Sequence, residues 1–266
     1  MLSEYDQLAL LRSGAFWAGL LFFLMLELVR AYRHPTVSKA ARWQTNLTLI
    51  LVNGVLTGLM FASATAAISY EGSLHDSGLL NTLQLPLWLR VAITVVVMDF
   101  VIYFWHYVNH INPFLWRFHR VHHSDMNMDV STASRFHIGE LTGGALIKLS
   151  MIKLLGIDLV SLAVFEILLV ASAQFHHSSF RISPAFEKVF IAVGVPPSMH
   201  RIHHSVVITE RNSNYGTILS CWDRLFGTFR FDVPQERIVT GMGAYRKPEA
   251  LSFFQLILMP FRKAVR

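Results

Sequence analysis

Ten of the thirteen histidines in this chain fall into four clusters. His106-Tyr-Val-Asn-His110 is an H-x3-H, while His119-Arg-Val-His122-His123 and His200-Arg-Ile-His203-His204 share the spelling H-x2-H-H, and His176-His177 lies between them. On a helix, positions i, i+3 and i+4 share a face, so each cluster aims its imidazoles in one direction. Neutral imidazole is a ligand for zinc, copper, iron and nickel. One such motif is a weak signal, but two copies beside an H-x3-H predict bound metal and more than one ion. His34 and His75 stand alone in loops and carry no assignment.

The elements that must position these clusters are set by apolar stretches. The chain is 53% hydrophobic and has 20 phenylalanines in 266 residues, a composition unlike that of a water-soluble domain. Gly14–Val29, Leu47–Ser69 and Leu85–Trp105 approach or exceed the roughly 20 residues needed to span a bilayer. The first ends near Glu27, and its acidic flank and lack of a small-residue cleavage site distinguish it from a cleaved signal peptide. Leu141–Phe175 is interrupted by Lys148, Lys153, Gly156, Asp158 and Glu166 and reads as two shorter helices turning at Gly156-Ile157-Asp158. A full hairpin and a re-entrant pair both fit. Either returns the chain to the face it left.

Orientation follows from loop charge. Arg30, Arg33, Lys39 and Arg42 follow the first span, whereas the loop after the second holds Glu71 and Asp76 and no basic residue. The first loop is expected in the cytoplasm and the Glu71–Leu80 loop on the other side. All histidine clusters and the C-terminus then face the cytoplasm.

The net charge of +6 does not indicate nucleic acid, because the basic residues form no stripe interleaved with aromatics and no groove-reading motif occurs. Anionic lipid and an acidic partner are the expected recipients. Cys221 is the lone cysteine, which excludes a disulfide framework and a cysteine zinc site. No phosphate-binding loop, dinucleotide fingerprint or serine-nucleophile motif occurs, and Gly241-Met-Gly243 reads as a turn.

Asp99, Tyr103, His106 and His110 fall along one helical face. A carboxylate within a span is costly and usually functional, so Asp99 is a candidate catalytic-site residue that orients an imidazole through its free N–H. Asn112-Pro113 ends that helix and begins another, with Asn as N-cap and Pro in the first turn. Pro196-Pro197-Ser198 does the same before His200. At least one of His176 and His177 is well placed, and His177 is favoured. His137 is open among a ligand, an outer hydrogen-bond donor and a membrane-surface residue. Asn214, Tyr215, Trp222 and Asp223 read as packing of a cap, with Arg211, Arg224 and Asp223 as ordinary ion pairs. The competing reading, which a family resemblance implies, is a lid or wall under the metal site.

A zinc hydrolase uses three protein ligands and an open position, which leaves most of this array unused. Two irons close together accept electrons, activate O2 and attack an unactivated C–H bond. Soluble di-iron bundles mix carboxylates with histidine, but Asp125, Asp129, Glu140 and Glu187 lack the spacing to replace a cluster histidine. The location within lipid indicates a lipid substrate.

From Leu85 to Arg230 the chain resembles the fatty acid hydroxylase / sterol desaturase superfamily, the histidine-rich integral-membrane non-haem di-iron oxygenases. The resemblance is carried by the run from Asp99 to His110, Leu115-Trp-Arg-Phe-His-Arg-Val-His-His-Ser124, Arg135-Phe-His137, Pro197-Ser-Met-His-Arg-Ile-His-His-Ser205, Asn214-Tyr-Gly216 and Trp222-Asp-Arg-Leu-Phe-Gly-Thr228. It implies metal ligands at His106, His110, His119, His122, His123, His177, His200, His203 and His204. Two departures stand out: His177-Ser178-Ser179 replaces a common His-Ser-Asn, leaving His176 an alternative ligand, and Ile138 follows His137 where proline is common.

The expected architecture is an all-α polytopic membrane protein with a cytoplasmic helical cap around a dinuclear site. Residues 1–84 form N-terminal transmembrane helices, 85–232 the catalytic domain and 233–266 an amphipathic tail. The expected function is O2-dependent hydroxylation or desaturation of a fatty acyl, sterol or related lipid by two Fe ions, and purified material can carry zinc instead. The alternative is a non-enzymatic membrane metal- or haem-binding protein. Bis-histidine haem needs only two histidines, and transporters place ligands near the bilayer midplane, whereas these clusters sit at span ends. Since nothing here binds flavin, nicotinamide or haem, a separate ferredoxin or cytochrome b5-like electron donor is expected. Arg117, Arg120, Arg201 and Arg224 either steer it or contact lipid phosphates.

Overall fold

A computed structural model describes residues 3–74 and 78–263, and among them the chain is helical with only isolated β-bridges. The helices are α1 (Glu4–Val29), α2 (Lys39–Leu74), α3 (Leu79–Thr82), α4 (Leu87–Ile111), α5 (Pro113–His123), α6 (Ile138–Leu155), α7 (Leu159–His177), α8 (Pro184–Phe190), α9 (Pro197–His203), α10 (Ile208–Arg211), α11 (Cys221–Leu225) and α12 (Phe253–Leu258). Among the described residues, four segments are long and apolar enough to cross a membrane: Glu4–Val29, Lys39–Ile68, Leu87–Ile111 and Leu159–His177. Their outer faces expose residues such as Leu21, Leu28, Leu51, Leu59 and Phe104. That is the arrangement of helices whose surroundings are lipid.

The spans run beyond the apolar stretches that announce them. α1 starts at Glu4 because Ser3 and Asp6 form a reciprocal capping box, which satisfies two amides at the helix start. α2 starts at Lys39, two turns ahead of Leu47, because Arg42 and Asn46 bind the loop after α5. α4 continues to Ile111 and carries His106 and His110 past its apolar part.

Leu141–Phe175 falls in two helices, α6 and α7, joined at Gly156-Ile157-Asp158. α6 ends at Gly156, whose φ of 68° is the left-handed value glycine adopts freely, and Asp158 caps α7 by accepting from the Ser161 amide at 2.8 Å. This turn lies against Gly78, where an added Cβ would meet the Gly156 nitrogen at 2.4 Å. Arg90, near the start of α4, reaches Asp158 at 3.1 Å. One end of the bundle therefore gathers this turn, α3 and the start of α4. The ends of α1, α4 and α7 and the start of α2 gather at the opposite one, with the histidines. Of the Glu71–Leu80 loop, residues 75–77, including His75 and Asp76, lie outside the described residues.

Two apolar cores serve these ends. Met98, Ile152, Ile157, Leu162 and Phe165 join α4, α6 and α7 in the span region. Leu49, Trp116, Val121, Met242, Tyr245, Leu256 and Met259 pack the C-terminal segment beneath α5 and against α2. The cap is further tied to α2 by Arg42, whose guanidinium contacts Asp125 at 2.5 Å and Asp129 at 2.9 Å. Burial alone raises the Asp125 carboxyl, but Arg42 and Arg135 outweigh it and hold the group well below the usual carboxylate range.

Candidate metal centre

Two short helices lie across the ends of α4 and α7. Asn112 caps α5 by accepting from the Phe114 and Leu115 amides, and Pro113 and Pro197 occupy the first turns of α5 and α9, where a missing N–H costs nothing. His106, His110, His119, His123 and His203 form one group, and His122, His177, His200 and His204 a second. Within each group the candidate ligand nitrogens lie within 4.8 Å of one another. His123 and His204 rings stack at 4.5 Å, which makes the two groups neighbours.

Hydrogen bonds at the outer nitrogens decide which nitrogen faces inward. A carbonyl only accepts, so the Nδ1 atoms of His106, His203 and His177 must carry protons where they meet the carbonyls of Tyr215 at 2.9 Å, Ser213 at 2.7 Å and Ala173 at 2.7 Å. That fixes the tautomer and leaves each Nε2 with a lone pair. His119 Nδ1 meets a Glu140 carboxylate oxygen at 2.6 Å, and His110 Nδ1 meets the Asn212 side-chain oxygen at 3.3 Å. The inward Nε2 atoms of His106, His110 and His203 are buried without a protein partner.

In the second group the Nε2 atom of His177 lies 3.1 Å from that of His122, 3.2 Å from that of His204 and 3.0 Å from that of His200. Nitrogens bound at about 2.0–2.1 Å to one ion, with angles between 90 and 110°, are themselves about 2.8–3.4 Å apart. The observed separations therefore match the edges of a metal polyhedron. Burial, followed by neighbouring imidazoles, pushes His122, His123, His200, His203 and His204 well below the usual histidine range. They are neutral, as ligands must be. The residues fit two cations held by nitrogen donors.

His176 and His137 lie outside both groups. The His176 ring packs at a tilt of 39° against His200, with centroids 4.0 Å apart. His137 is the N-cap of α6, with Nδ1 accepting from the Gly139 amide at 2.9 Å and Nε2 at 3.2 Å from the Ile257 carbonyl. Both of its nitrogens are spent on backbone. Asp99 is likewise not an imidazole partner: its oxygens accept from the Ile218 and Leu219 amides, both at 3.0 Å, and from the Trp222 indole at 2.8 Å. It touches no histidine and instead anchors the loop that supplies Tyr215.

That loop corrects the ion-pair reading of Asp223. Its carboxylate accepts from the Tyr215 and Gly216 amides, both at 2.8 Å, and from the Thr228 hydroxyl at 2.7 Å. Arg224 instead binds the Ser220 and Ile191 carbonyls. Asn214, at a φ of 58°, turns the chain so that the Tyr215 ring stands against His106, His110 and His203. The stretch 213–223 is a wall of the first group. Nor do the four arginines form one exposed patch. Arg120 and Arg201 are buried, with Arg120 donating to the Met259, Arg262 and Lys263 carbonyls and Arg201 to Gln235. Arg117 and Arg224 stay at the surface.

Glu140 is the functional side chain that spacing misses. It is a buried acid in the first turn of an apolar helix, a placement that signals a partner, but no interval links it to His119. Phe136, stacked on His122 at 4.5 Å and 2°, gives no sequence signal.

The profile of the fatty acid hydroxylase family matches residues 91–228, just over half of the chain, and the chain belongs to that family. It is 29% identical over 224 residues to ornithine lipid hydroxylase OlsE of Rhizobium tropici, covering 82% of this chain and 65% of that protein. It is 26% identical over 171 residues to cholesterol 25-hydroxylase of Rattus norvegicus, covering 57% of this chain and 50% of that protein. A third relative is very-long-chain aldehyde decarbonylase GL1-8 of Oryza sativa subsp. indica, 26% identical over 223 residues and 82% of each chain. The chain thus spans less than two thirds of the first two relatives. No solved structure matches it.

Proposed function

We propose that this chain is an O2-dependent lipid oxidoreductase that hydroxylates or desaturates a C–H bond, with two irons held by the nine grouped histidines. The observation that carries this reading is the convergence of nine imidazoles in two adjacent groups at one end of apolar, membrane-length helices. Relatives named for ornithine lipid and cholesterol hydroxylation support a lipid substrate. Two irons bound there would relay electrons from an external donor to O2 and supply the oxidising power that an unactivated C–H bond requires.

The protein's own part is orientation, neutrality and exclusion of water. The Tyr215 and Ser213 carbonyls hold His106 and His203 as Nδ1–H tautomers. Glu140 accepts from His119 and gives it the electron-rich character that outer carboxylates impart. Trp116, Tyr215 and Phe136 close the sides. Residues 85–232 form the catalytic unit in this reading, and the clusters face the cytoplasm, where Arg30, Arg33, Lys39 and Arg42 also lie.

Electrons come from a separate ferredoxin or cytochrome b5-like protein. Turnover should therefore require an added reductase–donor system, and protein that turns over lipid with O2 alone contradicts it. The decisive experiment compares lipids of cells with and without the gene, then repeats the reaction with iron-loaded protein in membranes. A mass change of +16 indicates hydroxylation and −2 indicates desaturation. No lipid change in iron-loaded protein supplied with a working donor refutes the reading, and one haem per chain assigns it to the non-enzymatic class.

A further inference from the structure

The other buried arginines of this cap each donate to protein oxygens, although the Nε of Arg120 is buried without a partner. Arg120 donates to three carbonyls. Arg135 donates to the Val121 carbonyl at 3.1 Å, to Asn46 at 2.7 Å and to Ser124 at 3.0 Å. Arg201 donates to Gln235 at 2.6 Å and lies 4.1 Å from the Tyr32 ring centroid.

Arg211 is different. It is only 4% exposed, yet among the described residues its guanidinium has neither a carboxylate nor a hydrogen-bond acceptor, and its Nε is fully buried without a partner. Its guanidinium lies over the face of Trp116, 4.6 Å from the ring centroid. Burial lowers its pKa, and the group acting in the other direction is Tyr215 rather than an acid. A desolvated guanidinium without a counter-charge is costly and is ordinarily paired. Its planar fork matches carboxylate and phosphate oxygens.

The position selects the kind of anion. Trp116 also packs against His110, His119 and His123, at 5.0, 6.0 and 5.4 Å, so the guanidinium is one ring away from the first histidine group. α10 lies beside the corner where α4, an apolar membrane-length helix, ends at Ile111 and α5 begins. Ile111, Phe114, Val207 and Ile208 at this corner are exposed apolar residues. A cation behind an apolar rim at the end of a span lies at the level of lipid headgroups.

We propose that Arg211, lying on Trp116, is the seat for the phosphate or carboxylate of an anionic membrane lipid held beside the first histidine group. This does not depend on what reaction the metals perform. The test uses the full chain in nanodiscs containing phosphatidylglycerol and phosphatidylcholine with identical acyl chains, followed by native mass spectrometry of the lipids retained. The wild-type protein should keep one phosphatidylglycerol in preference to phosphatidylcholine. Arg211→Gln should lower that preference by at least about 10-fold, and Arg211→Lys, which keeps the cation, should lower it less. Each variant is compared at unchanged metal content, which reports an intact cap. If Arg211→Gln does not fold, the Arg211→Lys and Trp116→Phe variants decide, since both should weaken retention. Equal retention by all variants, no preference in the wild type, or protection by inorganic phosphate equal to that by phosphatidylglycerol overturns the lipid assignment. An acidic peptide that displaces the lipid while phosphatidylglycerol does not rebind also overturns it, in favour of a protein partner.

Discussion

The two histidine groups are made of the same side chain and are held in different ways. In the five-histidine group, four outer Nδ1 atoms have partners: the Tyr215 and Ser213 carbonyls, Glu140 and Asn212. In the four-histidine group only His177 has one, the Ala173 carbonyl. The Nδ1 atoms of His122, His200 and His204 are buried without protein partners, and their rings are placed by packing against Phe136, His176 and His123. A hydrogen bond sets both ring angle and tautomer, whereas ring packing sets only the plane. The first group is therefore the more preorganised, and the second should release its ion first.

The sharpest way to break this comparison is to remove one ligand from each side. His203→Ala should empty the first group and His122→Ala the second, each lowering lipid turnover by at least about 100-fold, with metal per chain read by elemental mass spectrometry. Normal metal content and full activity in His203→Ala contradict a dinuclear assignment. A smaller effect follows at Glu140. Glu140→Gln keeps the shape but removes the carboxylate facing His119, and should weaken the first ion by about 10–100-fold while leaving the second unchanged.

Chelation sharpens the same contrast. Titrating the metal-loaded protein should remove metal in two phases, with the second group losing its ion first. Glu140→Gln should narrow or reverse that order, and a single phase in both proteins contradicts the difference in preorganisation. The smallest effect is expected at Asp99. Asp99→Asn replaces one acceptor oxygen by a donor facing the Ile218 and Leu219 amides and the Trp222 indole. It should cost about 1–3 kcal/mol of stability and loosen the first group through Tyr215 alone. Thermal unfolding with metal readout for each group checks this.

The contrast also marks what was legible in the sequence. The H-x2-H-H clusters, the Asn112-Pro113 and Pro196-Pro197 boundaries and the turn at Gly156 follow from local periodicity and cap chemistry, and the structure has them in place. The partners that distinguish the groups are mostly backbone carbonyls brought in by a distant segment, and a carbonyl has no residue identity to read. Asp99 shows the limit of facial spacing. It shares a helix face with His106, but residues 215–222 fold back over that face and take its oxygens first. The Asp223 ion-pair reading failed for a related reason. Arg224 is adjacent in sequence but reaches toward Ile191, leaving Asp223 to bind amides of its own loop. His137 looked available only because an N-cap role depends on where the next helix begins.

The clasp at Arg120 bears on the order of biogenesis. This residue sits between His119 and His122 on α5, and its guanidinium closes on the carbonyls of Met259, Arg262 and Lys263. During synthesis at about 5–20 residues per second, the 140 residues between His123 and Lys263 take roughly 7–28 s to appear. Through that interval the helix bearing three of the nine imidazoles lacks its final brace. Metal acquisition is thus expected late, once the segment from Met259 to Lys263 has emerged and closed on Arg120. Ribosome-bound chains stalled before Phe253 should hold less metal than the released protein, and equal loading would place acquisition earlier.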